Sequence, residues 1–293
     1  MVTTRPAAVF ISACVFAMAS LPMGLAQTAS VQTAPAQGGV VSASLCADAY
    51  LLALQPGPQI AALSWQVDQP VSAAPVWARQ LPRAWPDAER LFALDPDLVV
   101  FGAGEGGRAG AMLRRSGYQT FELAWAEGFD GVRANLLALG QALGRGRAAM
   151  EAVQNLDERL ADLQRRTDRR GAVPGVAYLS ASGGSAGAGT YVDAAITAAG
   201  GRNTAAQSGV IGWGRSDPEL ALTLEADIIL TSYFTDGFAG TLSRATRHAA
   251  YRHLLDGAGR VDIASADWPC AGPRLIDAAE AIADALDEWA QRS

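Results

Sequence analysis

The sequence predicts an α/β protein with two Rossmann-like lobes, each built on a central, mostly parallel sheet, joined by one long α-helix and separated by a ligand cleft. Short β-branched runs alternate with helical patterns from Val40 onward, which is the order of elements in parallel α/β units. One helical pattern near the middle is far longer than the rest. On either side of it lie two similar segments, 84–102 and 212–232, each running from a Trp through a Glu and a short helix into an apolar strand. We therefore expect one such unit in each lobe.

Several apolar runs are expected to form strands. They are short and mostly apolar on both faces, as strands are when helices cover both sides of a sheet. Helices are expected in the intervals, including 87–94 and 217–225 within the two similar segments. The predicted strands are 39–44, 60–64, 98–102, 120–124, 173–180, 227–232 and 260–265.

The longest helical pattern lies at 131–170. Leucines recur there at helical spacing, and charged residues fill the other faces. Gly144 and Gly146 are expected to interrupt the pattern, which leaves a helix over about 147–169, roughly 35 Å long. Because the heptad repeat is not sustained, we interpret it as a single helix joining the lobes rather than half of a coiled coil.

The first 26 residues are predicted to be a cleavable secretory signal. Arg5 is their only charge, and the uncharged run at 7–21 is too short to span a bilayer comfortably. Gly24 and Ala26 fit the small-residue positions that signal peptidase reads. A membrane anchor and a lipoprotein signal at Cys14 are the alternatives. The predicted organisation is a signal peptide at 1–26, a flexible leader at 27–38, an N-terminal lobe at 39–145, a linking helix at 146–170 and a C-terminal lobe at 171–293.

Composition and motifs exclude several classes of function. The formal charge is −6, so nucleic acid is not an expected partner. The glycine-rich stretch 181–189 lacks the spacing and the lysine of a phosphate loop, and the sequence contains no H-E-x-x-H metal motif. The two histidines, His248 and His253, are not spaced as a helical pair, so no metal site is predicted. We expect a binding protein and not an enzyme.

Aromatic residues are concentrated where a ligand would bind. In open α/β sheets, ligands bind beyond the carboxyl ends of the strands, and most of the tryptophans fall in the loops at those ends or in the loops that open the two similar segments. Each ring could contribute about 1 kcal/mol by stacking on a flat ligand, beyond its buried area. The predicted ligand-binding residues in these loops are Trp65, Gln66, Trp85, Trp125, Trp213, Arg215, Tyr233 and Trp268.

The two cysteines of the predicted lobes also fall on this rim. Cys46 follows the first predicted strand, and Cys270 lies two residues after Trp268. Three interpretations are open: unrelated small side chains, thiols that contact ligand or metal, or a disulfide across the cleft. A disulfide would lock the lobes together, which argues against it in a protein that must release a ligand. Both cysteines are kept as candidate ligand contacts.

Three segments resemble a known family: AERLFALDPDLVVFG at 88–102, PELALTLEADIIL at 218–230 and DWPCAGPRLIDAAEAIADAL at 267–286. With them the chain from Val40 to Ala290 resembles the substrate-binding proteins of ABC importers, in the class with two lobes and a rigid linking helix. That class carries cobalamin, haem and ferric siderophores. The resemblance implies a ligand cleft between lobes that open little, because a long helix resists hinge motion.

Within this class the sequence is most similar to the periplasmic cobalamin carriers. In those proteins a Trp six residues before the glutamate of the second lobe stacks on the corrin, and Trp213 stands six residues before Glu219. A Trp ahead of a Pro-Arg pair near the last helix is matched by Trp268 with Pro273 and Arg274. The resemblance implies cobalamin or another corrinoid as the ligand, with no resident cofactor.

Two alternatives stay within the class, and one lies outside it. Haem would take Tyr191 or Tyr233 as an axial ligand. A ferric siderophore would be held by Arg83, Arg215 and Tyr233. The remote alternative is a secreted enzyme or metallochaperone that uses Cys46 as nucleophile or ligand.

The resemblance also implies a docking role for Glu89 and Glu219. In this class one glutamate on each lobe docks onto arginines of the membrane permease. Both residues fall in the first turn of a predicted helix, where the helix dipole favours a carboxylate and charge-complementary docking is possible. The implied partners are an inner-membrane ABC permease dimer with its cytoplasmic ATPase, and the implied state is a periplasmic monomer.

Overall fold

The computed structural model of the chain describes residues 38–54, 59–180, 184–215, 223–232 and 249–292. The predicted signal peptide, nearly all of the predicted leader and most of the predicted helix at 217–225 lie outside these ranges. Residues 35–293 belong to one compact unit, in which two parallel sheets form the centres of two lobes.

The N-terminal lobe is built on a five-stranded sheet in which every strand pair is parallel. The strand order is β3-β2-β1-β4-β5, so the order reverses between β1 and β4, which makes a topological switch point of the kind where α/β proteins bind ligands. The strands are Val40–Ser42 (β1), Ile60–Ser64 (β2), Arg83–Ala84 (β3), Leu98–Phe101 (β4) and Gln119–Glu122 (β5).

The C-terminal lobe contains a four-stranded parallel sheet of order β11-β10-β6-β8 and a separate antiparallel ribbon of β7 and β9. Tyr178, in β6, belongs to the same buried apolar cluster as residues of the last helix of the chain. The strands are Gly175–Ser180 (β6), Gly184–Ala186 (β7), Arg202–Asn203 (β8), Trp213–Arg215 (β9), Ile228–Ser232 (β10) and Gly259–Asp262 (β11).

Helices connect and cover these sheets. Ser44 caps the first of them, since its Oγ accepts a hydrogen bond from the backbone N–H of Ala47. Within the described ranges, no helix is both long enough and apolar enough to cross a membrane. The helices are Leu45–Ala53 (α1), Ala88–Ala93 (α2), Gly107–Arg115 (α3), Phe129–Ala142 (α4), Gly146–Arg170 (α5), Tyr191–Ala198 (α6), Thr204–Gln207 (α7), Ala249–Gly257 (α8) and Leu275–Arg292 (α9).

The long helix α5 joins the two lobes and packs along α9. Gly144, with a φ of +65°, ends the turn after α4, and α5 begins two residues later. Three of its arginines pair with carboxylates on α9. Arg170 is the most buried of them: its side chain is 2% exposed and its Nε lies 2.7 Å from Asp287 Oδ1. The predicted single helix is therefore confirmed, and it is fixed to the last helix by charge pairs.

One apolar core runs through both lobes. Its buried members include Leu51 and Leu136 from the N-terminal lobe, Leu163 from α5, and Ile196 and Leu286 from the C-terminal lobe. Burial of a Leu or Ile side chain contributes about 1.5–3 kcal/mol. The lobes therefore share packing near α5 as well as a backbone connection, which limits how far they can separate there.

Candidate functional site

Four of the predicted tryptophans are exposed at loops that follow strands or in the β7–β9 ribbon. Trp65 starts a 3₁₀ turn directly after β2, Trp85 follows β3, and Trp125 follows β5. Trp125 is the most exposed, at 78%, and Trp213 in β9 is 47% exposed. All four rings are more than one-third exposed, as expected of residues that can receive a flat ligand.

The loop after β4 is shaped around Trp125. Gly104 has a φ of +74°, and a Cβ atom added there would lie 3.3 Å from Cζ2 of the Trp125 ring. The backbone N–H of Gly104 donates to Glu122 Oε1 at 2.8 Å. The backbone conformation at 104 therefore favours glycine, which also leaves room for the neighbouring indole.

An aromatic cluster forms the corresponding surface of the C-terminal lobe. The ring of Tyr191, at the start of α6, lies 4.7 Å from the ring of Trp213, and Tyr178 contacts Trp213 edge-on at 6.5 Å. The ring centroid of Trp268 lies 6.0 Å from that of Tyr178 and 6.2 Å from that of Tyr191, which completes the cluster. Such tilted and edge-on pairs are the preferred geometries of aromatic contacts.

Trp268 differs from the prediction of an exposed rim ring. It is only 1% exposed, and its Nε1–H is buried without a hydrogen-bond partner. Its place after the last strand was predicted, but the 3₁₀ turn at Ser265–Asp267 turns the ring inward under Tyr178 and Tyr191. Trp268 therefore supports the aromatic cluster, and Trp213 presents the exposed ring.

Gln66 has a structural role in this structure. Its Oε1 accepts a hydrogen bond from the backbone N–H of Leu45 at 3.3 Å, which satisfies one of the free donors at the start of α1. The neighbouring Asp68 pairs with Arg83, whose Nε lies 2.8 Å from its Oδ2. These polar groups of the first lobe are thus already engaged with each other and with the backbone.

Asp48 is a buried carboxyl group that sequence reasoning missed. Its two oxygens accept hydrogen bonds from the backbone N–H of Ser64 at 2.9 Å and from Ser64 Oγ at 2.5 Å, which ties α1 to the end of β2. Burial raises the pKa of Asp48 to about 6, against hydrogen bonds that lower it. The only sequence signal for the contact of Asp48 with Ser64 is its position one turn after Ser44, the N-cap of α1.

Cys46 and Cys270 form a disulfide, with Cα atoms 5.5 Å apart. The interpretation as free thiols that contact ligand or metal is therefore wrong, and so is the alternative in which Cys46 acts as a nucleophile, because neither sulfur carries a thiol. Beside the bond, Tyr50 Oη donates to the carbonyl of Ala271 at 3.0 Å. Cys270 and Ala271 have φ values of +63° and +43°, a strained conformation for non-glycine residues that these neighbours hold in place.

A pocket of about 560 Å³ lies next to this disulfide, between the lobes. Its walls are one face of α1, the loop 71–77 and the segment 266–274, and they are mostly apolar, with Trp77 among them. Its charged groups are Asp48 and Arg274, and Arg274 Nε lies 2.9 Å from Asp267 Oδ1. The volume is in the range that proteins use for small molecules. Sequence reasoning missed this pocket because its walls come from both ends of the chain.

Glu89, for which a docking role is predicted, is exposed in the first turn of α2, which Asp87 caps. In the same turn, the guanidinium of Arg90 lies 4.7 Å from the centroid of the Trp85 ring, so a cation covers one face of that indole. Glu219 and Tyr233 lie outside the described residues, as does the side chain of Arg215.

Positions 183–187 match the G-x-S-x-G pattern of hydrolase nucleophile elbows. In such an elbow the Ser stands exposed on a turn from strand to helix. Here Ser185 lies inside the antiparallel strand β7, is 1% exposed, and its Oγ has no hydrogen-bond partner. The motif thus lacks the required geometry. Among the residues that the structure describes, no three His, Cys, Asp or Glu side chains are grouped to hold a metal ion.

Comparison with known proteins assigns the family. Residues 40–244 match the family model described as periplasmic binding protein, and the chain belongs to this family. A cobalamin-binding protein of Halobacterium salinarum is 29% identical over 159 residues, which cover 54% of this chain. The chain spans 43% of the length of that relative.

Solved structures show the same fold. The periplasmic haem-binding protein RhuT of Roseiflexus sp. RS-1, in apo form, matches with a TM-score of 0.69 and 22% identity, over 85% of this chain and 99% of that one. The periplasmic vitamin B12 binding protein BtuF of Vibrio cholerae matches with a TM-score of 0.65 and 22% identity, over 87% and 98%. The predicted fold of two α/β lobes, a linking helix and a cleft between them is thereby confirmed.

Proposed function

We propose that this protein is the periplasmic solute-binding component of an ABC importer and that it captures a bulky metal chelate, cobalamin or a related corrinoid, for delivery to an inner-membrane permease. The observation that carries the proposal is the set of exposed tryptophans on both lobes, with Trp125 on one and Trp213 on the other. Indole rings offer large flat surfaces to a macrocycle and need no charge on the ligand.

The proposed mode of action is binding and release without chemical turnover. Trp213 stacks on the ligand, and the rings of Tyr178 and Tyr191 pack against it. The family match and the similarity to a cobalamin-binding relative support this role. The proposed location is the periplasm, reached through the predicted signal peptide, and the proposed partners are a permease dimer and its ATPase.

Haem is the second candidate ligand, and one observation favours it. Tyr191 is half-buried within the aromatic cluster, beside Trp213, where a phenol oxygen could reach a metal held between the lobes. The similarity of the fold to haem-binding proteins agrees with this alternative. A ferric siderophore is less well supported, since the guanidinium of Arg83 is already paired with Asp68.

The test is a titration of the chain from residue 27 onward with cyanocobalamin and, separately, with haemin, followed by tryptophan fluorescence. Saturable quenching at submicromolar cyanocobalamin is the expected result. Trp213→Phe should then weaken binding about fivefold, equivalent to about 1 kcal/mol of stacking, whereas Trp289→Phe on α9 should leave the affinity unchanged. Quenching by haemin alone would transfer the proposal to haem, and quenching by neither would overturn the ligand class.

A further inference from the structure

Glu127 reaches from the N-terminal lobe to the C-terminal lobe. Its Oε1 accepts a hydrogen bond from Trp213 Nε1 at 3.3 Å, and its Oε2 accepts one from the backbone N–H of Tyr191 at 3.2 Å. Glu127 lies in the loop between β5 and α4, whereas both donors belong to the second lobe. A single carboxylate therefore binds the indole of Trp213 and the backbone of Tyr191, two residues whose ring centroids are 4.7 Å apart.

The loop that carries Glu127 is held firmly. Asn135 on α4 bonds both backbone groups of Ala124, with its Oδ1 accepting from the N–H and its Nδ2 donating to the carbonyl, each at 2.9 Å. Ala126 is buried against Gly131, where an added Cβ would lie 2.6 Å from the Ala126 Cβ. Because Ala124 and Ala126 are fixed, contacts within the N-terminal lobe set the position of the Glu127 backbone.

The start of α6, which Glu127 contacts in the C-terminal lobe, is also held by local interactions. Thr190 caps α6 by accepting from the N–H of Asp193 at 3.2 Å, and the N–H of Tyr191, the first residue of the helix, donates to Glu127. A Cβ at Gly128 would lie 3.4 Å from Ala194 on α6, so the loop and the helix are in contact beside the carboxylate. The helix dipole adds to the attraction for a negative charge at this end.

We propose that Glu127 is the positioning residue of the aromatic binding surface: it orients the Trp213 ring and couples that orientation to the approach of the two lobes. The part of the proposal that concerns ligand affinity rests on the proposed function. The Cys46–Cys270 disulfide links the lobes covalently, whereas the hydrogen bonds of Glu127 can break and re-form. Separation of the lobes at this point releases Trp213, and their approach restores the ring to the position that receives the ligand.

The contact itself can be tested without a ligand. In the ligand-free protein, ¹⁵N-resolved NMR would follow the indole Nε1–H of Trp213, assigned by its absence in Trp213→Phe, and hydrogen exchange of the Tyr191 amide. Glu127→Ala should shift the indole signal and speed exchange at Tyr191 about tenfold, the loss expected for charge-assisted hydrogen bonds. Glu127→Gln keeps an acceptor oxygen and should give a smaller change in both. Glu151→Ala, which removes an exposed carboxylate on α5, should give none.

Affinity provides the second readout, with cyanocobalamin and haemin as probes. For the probe that binds the unmodified protein, Glu127→Ala should weaken binding about tenfold and Glu127→Gln about threefold. Unchanged Trp213 and Tyr191 signals in Glu127→Ala would overturn the contact, and unchanged or tighter binding would overturn the positioning role. If neither probe binds, the proposed function fails, while the NMR result still decides whether Glu127 orients Trp213.

Discussion

Cys46 and Cys270 are joined by a disulfide that links α1 of the N-terminal lobe to the segment before α9 of the C-terminal lobe, across 224 positions of the chain. One turn further along α1, Tyr50 donates a hydrogen bond to the carbonyl of Ala271. The lobes are therefore covalently linked at this point. A carrier with such a bond can still exchange its ligand if the lobes move where their contacts are non-covalent.

Loss of this disulfide is expected to lower stability. A crosslink that closes a long loop restricts the unfolded chain, and removal of such a bond costs about 2–5 kcal/mol. The free energy of unfolding from urea titration should fall by this amount in the C46S/C270S variant. Reductant should lower the value for the unmodified protein in the same way and leave the double variant unchanged. Equal midpoints with and without reductant would contradict the prediction.

Asp48 is expected to make stability depend on pH. Burial raises the pKa of its carboxyl from 3.8 to about 6 in the folded protein. The folded state therefore keeps a proton that the unfolded chain has released, so the contribution of this group is full below about pH 4 and is lost as the pH rises through about 6. Two pKa units correspond to about 3 kcal/mol.

The variant Asp48→Asn tests this linkage because it removes the titrating group and keeps an acceptor for Ser64. The difference in free energy of unfolding between the unmodified protein and this variant should change by about 1–3 kcal/mol between pH 4 and pH 7. The unmodified protein should become less stable relative to the variant as the pH rises. A difference that stays constant over this range would show that Asp48 does not carry the predicted shift.

The linking helix shows how far local sequence pattern can predict structure. It was expected over about 147–169 and spans Gly146–Arg170, because leucine spacing and a glycine stop are both local signals. The two-residue strands Arg83–Ala84 and Arg202–Asn203 were not predicted. Two residues are too few to show the alternation of a strand, and these pairs are strands only because a neighbouring strand supplies their partners.

The candidate site was predictable only in part, because it also depends on contacts between residues that are distant in the sequence. A position after a strand places Trp65 and Trp125 at the correct edge of the sheet, and both are exposed. The same rule placed Trp268 there, but whether a ring points outward or under its neighbours depends on packing from distant residues. Glu127 carries no signal in its own sequence neighbourhood, because its two hydrogen-bond donors lie more than 60 residues away in the chain.

Arg170 is expected to be the most important charge between the linking helix and α9. Its side chain is almost fully buried, pairs with Asp287 at 2.7 Å and donates to the carbonyl of Ala199 at 3.0 Å. Arg170→Ala removes these charge-assisted hydrogen bonds, whereas Asp287, one-third exposed, keeps its pairing with Arg166. The loss should cost about 1.5–3 kcal/mol in free energy of unfolding. Arg292→Ala removes an exposed arginine of the last turn of α9 that pairs at 3.7 Å, and should change stability by less than about 0.5 kcal/mol. Similar losses in both variants would contradict the role assigned to Arg170.

The proposed docking carboxylates can be separated from ligand binding by charge reversal. Glu89 is exposed in the first turn of α2, and Glu219 occupies the corresponding place in the second similar segment of the sequence. If both dock onto arginines of a permease, Glu89→Arg with Glu219→Arg replaces attraction by repulsion, and like charges brought together at an interface cost several kcal/mol. Ligand-stimulated uptake in cells or proteoliposomes that contain the cognate permease should be lost, while ligand affinity in solution stays the same.

A matched control makes that result specific. Glu151→Arg with Glu158→Arg changes the net charge by the same amount on an exposed face of α5, so it should preserve both uptake and affinity. If uptake survives the first pair of changes, the two glutamates are ordinary charges of helix N-termini and docking uses another surface. If the control pair abolishes uptake as well, the permease responds to the overall charge of the carrier, because long-range electrostatic attraction depends on total charge as well as on individual contacts.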